Sequence, residues 1–233
     1  SLLASGLSNE MVAFDLIGHG KSPSPAEYEE YSWSKQMEFL NASIPKKGLL
    51  LGYSMGGRIA LQFACQNQNH LGGLILIGGS PGIENSEERA KRQQWDTQMS
   101  TKINTVGTHQ FVQEWRRLPI IQSQENIEPL HRQKMLAIRN QQSEVGLSNV
   151  MQHLGTGSMN PCWDSLTNLS IPILLIVGEL DSKYQNIAHR MSTDLPNAAL
   201  GIIPSAGHCA HLENPKATAI LIERWLCDIA LMR

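Results

Sequence analysis

The segment Leu49-Leu50-Leu51-Gly52-Tyr53-Ser54-Met55-Gly56-Gly57 constrains this chain more than any other. The apolar run at 48–51 reads as a buried strand, and Arg58-Ile59-Ala60-Leu61-Gln62-Phe63-Ala64 reads as a helix. Between them a G-x-S-x-G turn throws one serine up at a sharp strand-to-helix corner. A serine in such a corner takes a strained backbone conformation and needs small neighbours, so Gly52 and Gly56 are expected to supply room. At the start of a helix, Ser54 also faces free backbone N–H groups and the positive end of the helix dipole. The N–H of Met55 is therefore the candidate donor to an oxyanion formed beside the serine. The alternative use of such a turn is a serine that merely caps a helix.

Around this segment, short apolar strands alternate with helical stretches. Strands are expected at 11–14, 48–51, 74–77, 173–177 and 199–203, and the tail of a helix at 1–10. Residues 31–41 place Trp33, Met37 and Leu40 at helical spacing, and further helices are expected near 186–193 and over 215–230. This alternation predicts an α/β fold with a mostly parallel sheet covered by helices on both faces. Ligands of such sheets bind outside the carboxyl ends of the strands, where Ser54 and the 79–82 loop would lie. From 84 to 154 the chain turns rich in Arg, Gln and Glu, with helical segments at 87–99, 109–117 and 129–140 and no strand. That stretch reads as a helical cap of four helices inserted after the 74–77 strand, dividing the chain into a core of 1–83 and 155–233 and a cap of 84–154.

With 233 residues and 41% hydrophobic content, the chain can bury one sizeable core. A net charge of −2 leaves no electrostatic footprint for nucleic acid or an anionic membrane, so a small-molecule ligand is expected. Cys65, Cys162, Cys209 and Cys227 are far apart with no C-x-x-C pair, which suggests neither a zinc site nor a disulfide framework. No metal or cofactor is expected. A reducing, cytoplasmic compartment fits this cysteine usage, and neither a transmembrane run nor a signal-peptide pattern is found. No sequence feature specifies an oligomer.

Two further residues complete a catalytic reading. Asp181 follows the 173–177 strand and His208 follows the 199–203 strand, giving the chain order serine, acid, histidine found in α/β-hydrolase folds. His208 would take the proton of Ser54 while Asp181 holds the imidazole in the right tautomer. Glu179 is the rival acid, closer to the strand body, and His211 the rival histidine, expected to support the loop. His19, between two glycines of a turn, is expected to bond locally.

Taken together, Gly52-Tyr53-Ser54-Met55-Gly56-Gly57-Arg58, Gly78-Gly79-Ser80-Pro81-Gly82, Arg89-Ala90-Lys91-Arg92-Gln93, Ile138-Arg139-Asn140, Gly178-Glu179-Leu180-Asp181-Ser182-Lys183-Tyr184 and the run from Gly207-His208 to Pro215 resemble the MenH family over the whole chain. These are 2-succinyl-6-hydroxy-2,4-cyclohexadiene-1-carboxylate synthases, lyases of menaquinone or phylloquinone biosynthesis within the α/β-hydrolase superfamily. The G-x-S-x-G and Gly-His pieces belong to the whole superfamily. Arg58, the cap arginines and the Asp-Ser-Lys-Tyr run are the discriminating pieces.

The resemblance implies a substrate with three carboxylates, from which the enzyme removes a ring proton and expels pyruvate without adding water. Ser54, activated by His208, would be the base, and the oxyanion site at Met55 would hold an enolate. It implies Arg58, Arg92 and Arg139 as carboxylate ligands and Tyr53 and Trp115 as pocket lining, with the plastid stroma as location in a plant. Trp115 and Trp95 could equally pack the cap, and Arg89, Arg116 and Arg117 read as solvated. A serine hydrolase of a small carboxylated substrate and a non-catalytic binding protein of the same fold would share the triad. The resemblance further implies strands and a His-Gly loop, source of a second oxyanion donor, ahead of the position of Ser1. The chain is thus expected to be an N-terminally short form, its sheet gapped between the 11–14 and 48–51 strands.

Overall fold

Parallel strands covered on both faces need apolar side chains at every position, and two strands of this chain have them. β2 (Leu71–Ile77) and β3 (Ile173–Gly178) are buried from end to end at the centre of the sheet, which has four strands among the described residues. β1 (Gly48–Tyr53) and β4 (Ala198–Ile203) flank them in the order β1-β2-β3-β4, and all three pairings are parallel. The computed structural model describes residues 11–231, so the helix tail expected at 1–10 lies outside them. The described helices are α1 (Trp33–Ser43), α2 (Met55–Asn67), α3 (Ser86–Trp115), α4 (Pro119–Gln122), α5 (Pro129–Asn140), α6 (Glu144–His153), α7 (Ser182–Asp194), α8 (Ala210–Glu213) and α9 (Pro215–Leu231).

Successive strand side chains point to opposite faces, so each central strand feeds two cores. Leu74, Leu76, Ile173, Leu175 and Val177 pack with Met37 and Leu40 of α1, Ile59 and Phe63 of α2, and Ala188 and Met191 of α7. Ile75, Ile77, Leu174 and Ile176 pack on the other face with Ala219, Ile222, Trp225 and Ile229 of α9. Helices α3 to α6 lie between β2 and β3 with no strand among them.

Three local expectations need correction. The segment 11–14 forms no strand, and Met11, Val12 and Phe14 are 41, 73 and 39% exposed. An extended apolar segment becomes a strand only where a neighbour takes its hydrogen bonds, and among the described residues none lies beside it. The two helices expected at 87–99 and 109–117 are present but differ in extent: the first runs on to 106, and within α3 only Gly107, whose φ of 77° and ψ of 162° leave the helical region, separates it from the second. The limbs are 86–106 and 108–115, and α6, along which α3 packs, lies outside the three expected helical segments.

The third correction concerns the glycines of the serine turn. A Cβ on Gly52 would lie 2.4 Å from the Gly56 carbonyl oxygen and 2.7 Å from Gly57 Cα, so the first turn of α2 can press onto β1 only over a glycine. A Cβ on Gly56 would meet nothing within 4 Å, because it would project into open space. Crowding therefore holds at Gly52 and not at Gly56. Gly52→Ala should cost about 1–3 kcal/mol or more through overpacking. Gly56→Ala should be neutral or gain up to about 1 kcal/mol of helix propensity. Urea unfolding of the two variants checks this; equal destabilisation by both would contradict the steric account.

Candidate active site

The end of β1 delivers Ser54 in a conformation of φ 49° and ψ −106°. Its N–H continues the ladder to the Ile77 carbonyl at 2.9 Å, and its carbonyl accepts the Arg58 N–H at 3.0 Å, opening α2. Met55 is the first residue of α2, so its N–H has no carbonyl four residues back within the helix. The side chain of Ser54 meets His208, with 2.9 Å between Oγ and Nε2. On the far side of the ring, Nδ1 lies 2.7 Å from Asp181 Oδ2, and both partners are buried. With the proton on Nδ1 donated to Asp181, Nε2 is free to accept from the serine hydroxyl.

Asp181 answers two readings at once. Its Oδ1 accepts the Tyr184 N–H at 3.3 Å as the N-cap of α7, while Oδ2 takes the histidine. Glu179, the rival acid, accepts the Ser205 N–H at 2.7 Å and stands outside the line. His211, the rival histidine, packs its ring 4.5 Å from that of Tyr53. Burial and the neighbouring His208 push its pKa down to about 4. His19 bonds locally, its Nδ1 3.2 Å from the Ile17 carbonyl.

Two tyrosines wall the histidine. Tyr53 lies with its ring centroid 5.5 Å from that of His208, and Tyr184 with its centroid at 4.4 Å. Burial raises both phenol pKa values, that of Tyr53 strongly, so both stay neutral donors. The sequence alone assigns Tyr184 no role, although its Asp-Ser-Lys-Tyr run is a discriminating piece of the family pattern.

The three candidate arginines stand in different environments. Arg58, one helical turn beyond Ser54, is 7% exposed, and among the described residues its guanidinium hydrogen-bonds only the Leu154 carbonyl, at 3.0 Å. Burial lowers its pKa to about 10, which leaves it charged at neutral pH. Arg92 donates through Nε to Asp96 at 2.7 Å and lies 4.7 Å over the Trp95 ring. Asp96 is fully buried and also accepts the Gly157 N–H at 2.8 Å. Arg139, in the last turn of α5, donates to Gln124 Oε1 at 2.8 Å, and its charge acts on Tyr53 and Cys209. Trp115 packs against Phe111 and Trp95, so it reaches Arg92 only through Trp95. Arg89 bonds the carbonyls of Ile83 and Glu84, and Arg116 pairs with Glu125.

A parallel sheet that carries serine, acid and histidine beyond β1, β3 and β4 defines an α/β hydrolase fold, and the sequence model of that fold matches residues 9–215. The chain is similar to the solved structure of MenH from S. aureus, with a TM-score of 0.85 and 30% identity over 93% of this chain and 82% of that one. It is 30% identical to the 2-succinyl-6-hydroxy-2,4-cyclohexadiene-1-carboxylate synthase of Klebsiella pneumoniae, over 92% of this chain and 82% of that protein. It is 29% identical to Protein PHYLLO, chloroplastic, of Arabidopsis thaliana, over 95% of this chain and 14% of that protein. The chain belongs to the MenH family of α/β hydrolase fold proteins.

The depressed pKa of His211 has a sign that can be tested. Its folded value near 4 lies below the ordinary 6.5, so between these values the unfolded chain binds a proton that the folded chain does not. Stability contributed by neutral His211 is therefore complete above pH 6.5 and lost as pH falls towards 4. At pH 5 the loss should be about 2 kcal/mol. Urea unfolding at pH 7 and pH 5 should show this loss in the parent and its absence in His211→Gln; equal losses would refute it.

Proposed function

We propose that this chain is a carbon–oxygen lyase of menaquinone or phylloquinone biosynthesis. It would convert 2-succinyl-5-enolpyruvyl-6-hydroxy-3-cyclohexene-1-carboxylate into 2-succinyl-6-hydroxy-2,4-cyclohexadiene-1-carboxylate and pyruvate. Relatives spanning nearly the whole chain bear the product's name. The observation that carries the reading is the buried Arg58, one turn from a hydrogen-bonded serine, with four of its five N–H donors unused by the described residues. A hydrolase pocket for neutral esters has no need of such a cation, whereas a carboxylate fits it through paired, charge-assisted bonds.

The proposed chemistry uses the groups at the site as follows. His208 Nε2 accepts the Ser54 hydroxyl proton as Ser54 Oγ takes the ring proton next to the succinyl ketone. Charge moves onto the ketone oxygen, where the Met55 N–H and the dipole of α2 stabilise the enolate. As the ketone re-forms, the ring double bond shifts, and the enolpyruvyl C–O bond breaks with its electron pair on oxygen. The released enolate takes up the proton held by His208 and becomes pyruvate, which restores the Ser54–His208 pair. Asp181 stabilises the transient imidazolium and is not itself protonated. Arg58, Arg92 and Arg139 hold the three carboxylates, Tyr53 and Trp115 line the pocket, and residues 84–154 form a cap that shapes it. The proposed setting is the cytoplasm, or the stroma in a plant.

A coupled pyruvate assay tests the reaction. Ser54→Ala should lower kcat about 10²- to 10⁴-fold, the usual worth of a positioned base. Arg139→Gln should lower kcat/KM about 10- to 100-fold, mostly through KM, for the loss of a charge-assisted bond. No pyruvate from the parent, together with Ser54-dependent cleavage of a simple ester that Arg139→Gln leaves intact, would instead identify a serine hydrolase.

A further inference from the structure

His208 sits outside both β4 and α8, so no regular element holds its main chain. Main-chain bonds reach Ala206 and Cys209 from Leu180, Leu212 and Glu213, and one carboxylate reaches both neighbours of the histidine. Glu213, the last residue of α8, accepts the Gly207 N–H at Oε2 (2.6 Å) and the Cys209 N–H at Oε1 (2.9 Å). These are the two residues on either side of His208, and the two bonds bracket the histidine.

A third bond reaches the helices between β2 and β3. Ser123 Oγ donates to Glu213 Oε1 at 3.0 Å from the 3-10 turn Ser123–Asn126. This turn presses on the histidine loop: a Cβ on Gly207 would lie 2.1 Å from Ser123 Oγ and 2.4 Å from Ser123 Cβ. The next residue of the turn, Gln124, is buried and accepts the bond from Arg139. One short turn thus touches the histidine loop through Ser123 and a candidate carboxylate ligand through Gln124.

We propose that Glu213 is a positioning residue for His208, and that the Ser123–Glu213 bond ties the position of the histidine to the seating of the helices over the site. The inference rests on His208 acting with Ser54 as the base. A carboxylate is suited to the task because both of its oxygens accept, and the bracket needs an acceptor on each side. In Glu213→Gln, an isosteric change, one side of the bracket would face an NH2 donor and open. Ring placement near Ser54 would loosen while the substrate's ligands stayed in place.

The test compares the parent, Glu213→Gln and Ser123→Ala by steady-state kinetics, urea unfolding and the downfield proton resonance of His208 Nδ1–H. Glu213→Gln should lower kcat about 10- to 100-fold, the scale of a small misplacement of a reacting group, with KM within about twofold. Its His208 resonance should shift or broaden by exchange. Ser123→Ala leaves both main-chain bonds in place and should lower kcat about fivefold, the worth of one hydrogen bond, with the same spectral change in weaker form. If Glu213→Gln does not fold, the Ser123→Ala result decides: an unmoved resonance and parent kinetics overturn the proposal. Lost stability with an unmoved resonance in folded Glu213→Gln also overturns it, since the residue would then be merely structural. The resonance reports on His208 without any substrate, so a parent that releases no pyruvate refutes the reaction and leaves this test standing.

Discussion

A backbone conformation of φ 49° and ψ −106° at a residue with a side chain costs on the order of 1–3 kcal/mol, and Ser54 holds it because both flanks are fixed. On one side its N–H is locked to Ile77 in the β1–β2 ladder; on the other its carbonyl starts α2 at Arg58. Gly52 lets strand and helix approach at a distance that no Cβ would allow. Relaxation of this turn would cost a ladder bond and a helix start together. The serine therefore points out of the sheet end, and Arg58 is placed one turn beyond it by the same corner.

The remaining members are brought to that point by the sheet. Neighbouring strands lie about 4.8 Å apart, so residues just past the carboxyl ends of β1, β3 and β4 fall within reach of one another once the loops lean inward. Asp181 is 27 residues from His208, and Ser54 is 154, yet the two contacts are 2.7 and 2.9 Å. Asp181 does two jobs with its two oxygens, since capping α7 fixes the carboxylate that orients the histidine. The helix cap and the hydrogen-bonded line from Asp181 through His208 to Ser54 are one arrangement.

Charge is distributed with similar economy. Asp96, wholly buried, neutralises Arg92 and is itself tied down by the Gly157 N–H. Among the described residues Arg58 has no such counter-ion in bonding range, and a buried cation with one carbonyl partner there is costly unless an anion completes it. An anionic ligand would relieve that cost, which is the physical basis for reading Arg58 as part of a binding site rather than of the core. Arg139 approaches from α5, on the side of Tyr53, and is held by a neutral amide that leaves its charge available.

Features set by nearest neighbours were legible in the chain: the continuous apolar runs of β2 and β3, the serine turn, the order of the triad, and helices at 129–140 and 215–230 close to α5 and α9. Even the Arg92–Asp96 pair lies at helical spacing. What needed the folded molecule were properties that depend on distant partners. The segment 11–14 has the local pattern of a strand and forms none, because a ladder needs a neighbour. The motif contains two glycines that look alike, but only the packing of α2 on β1 distinguishes crowded Gly52 from open Gly56. The bracket of Glu213 around His208, its bond to Ser123 across 90 residues and the burial of Arg58 left no periodic trace in the sequence. Local pattern determined the elements and the chemical groups; tertiary packing decided which groups meet, because hydrogen bonding and desolvation act through space and not along the chain.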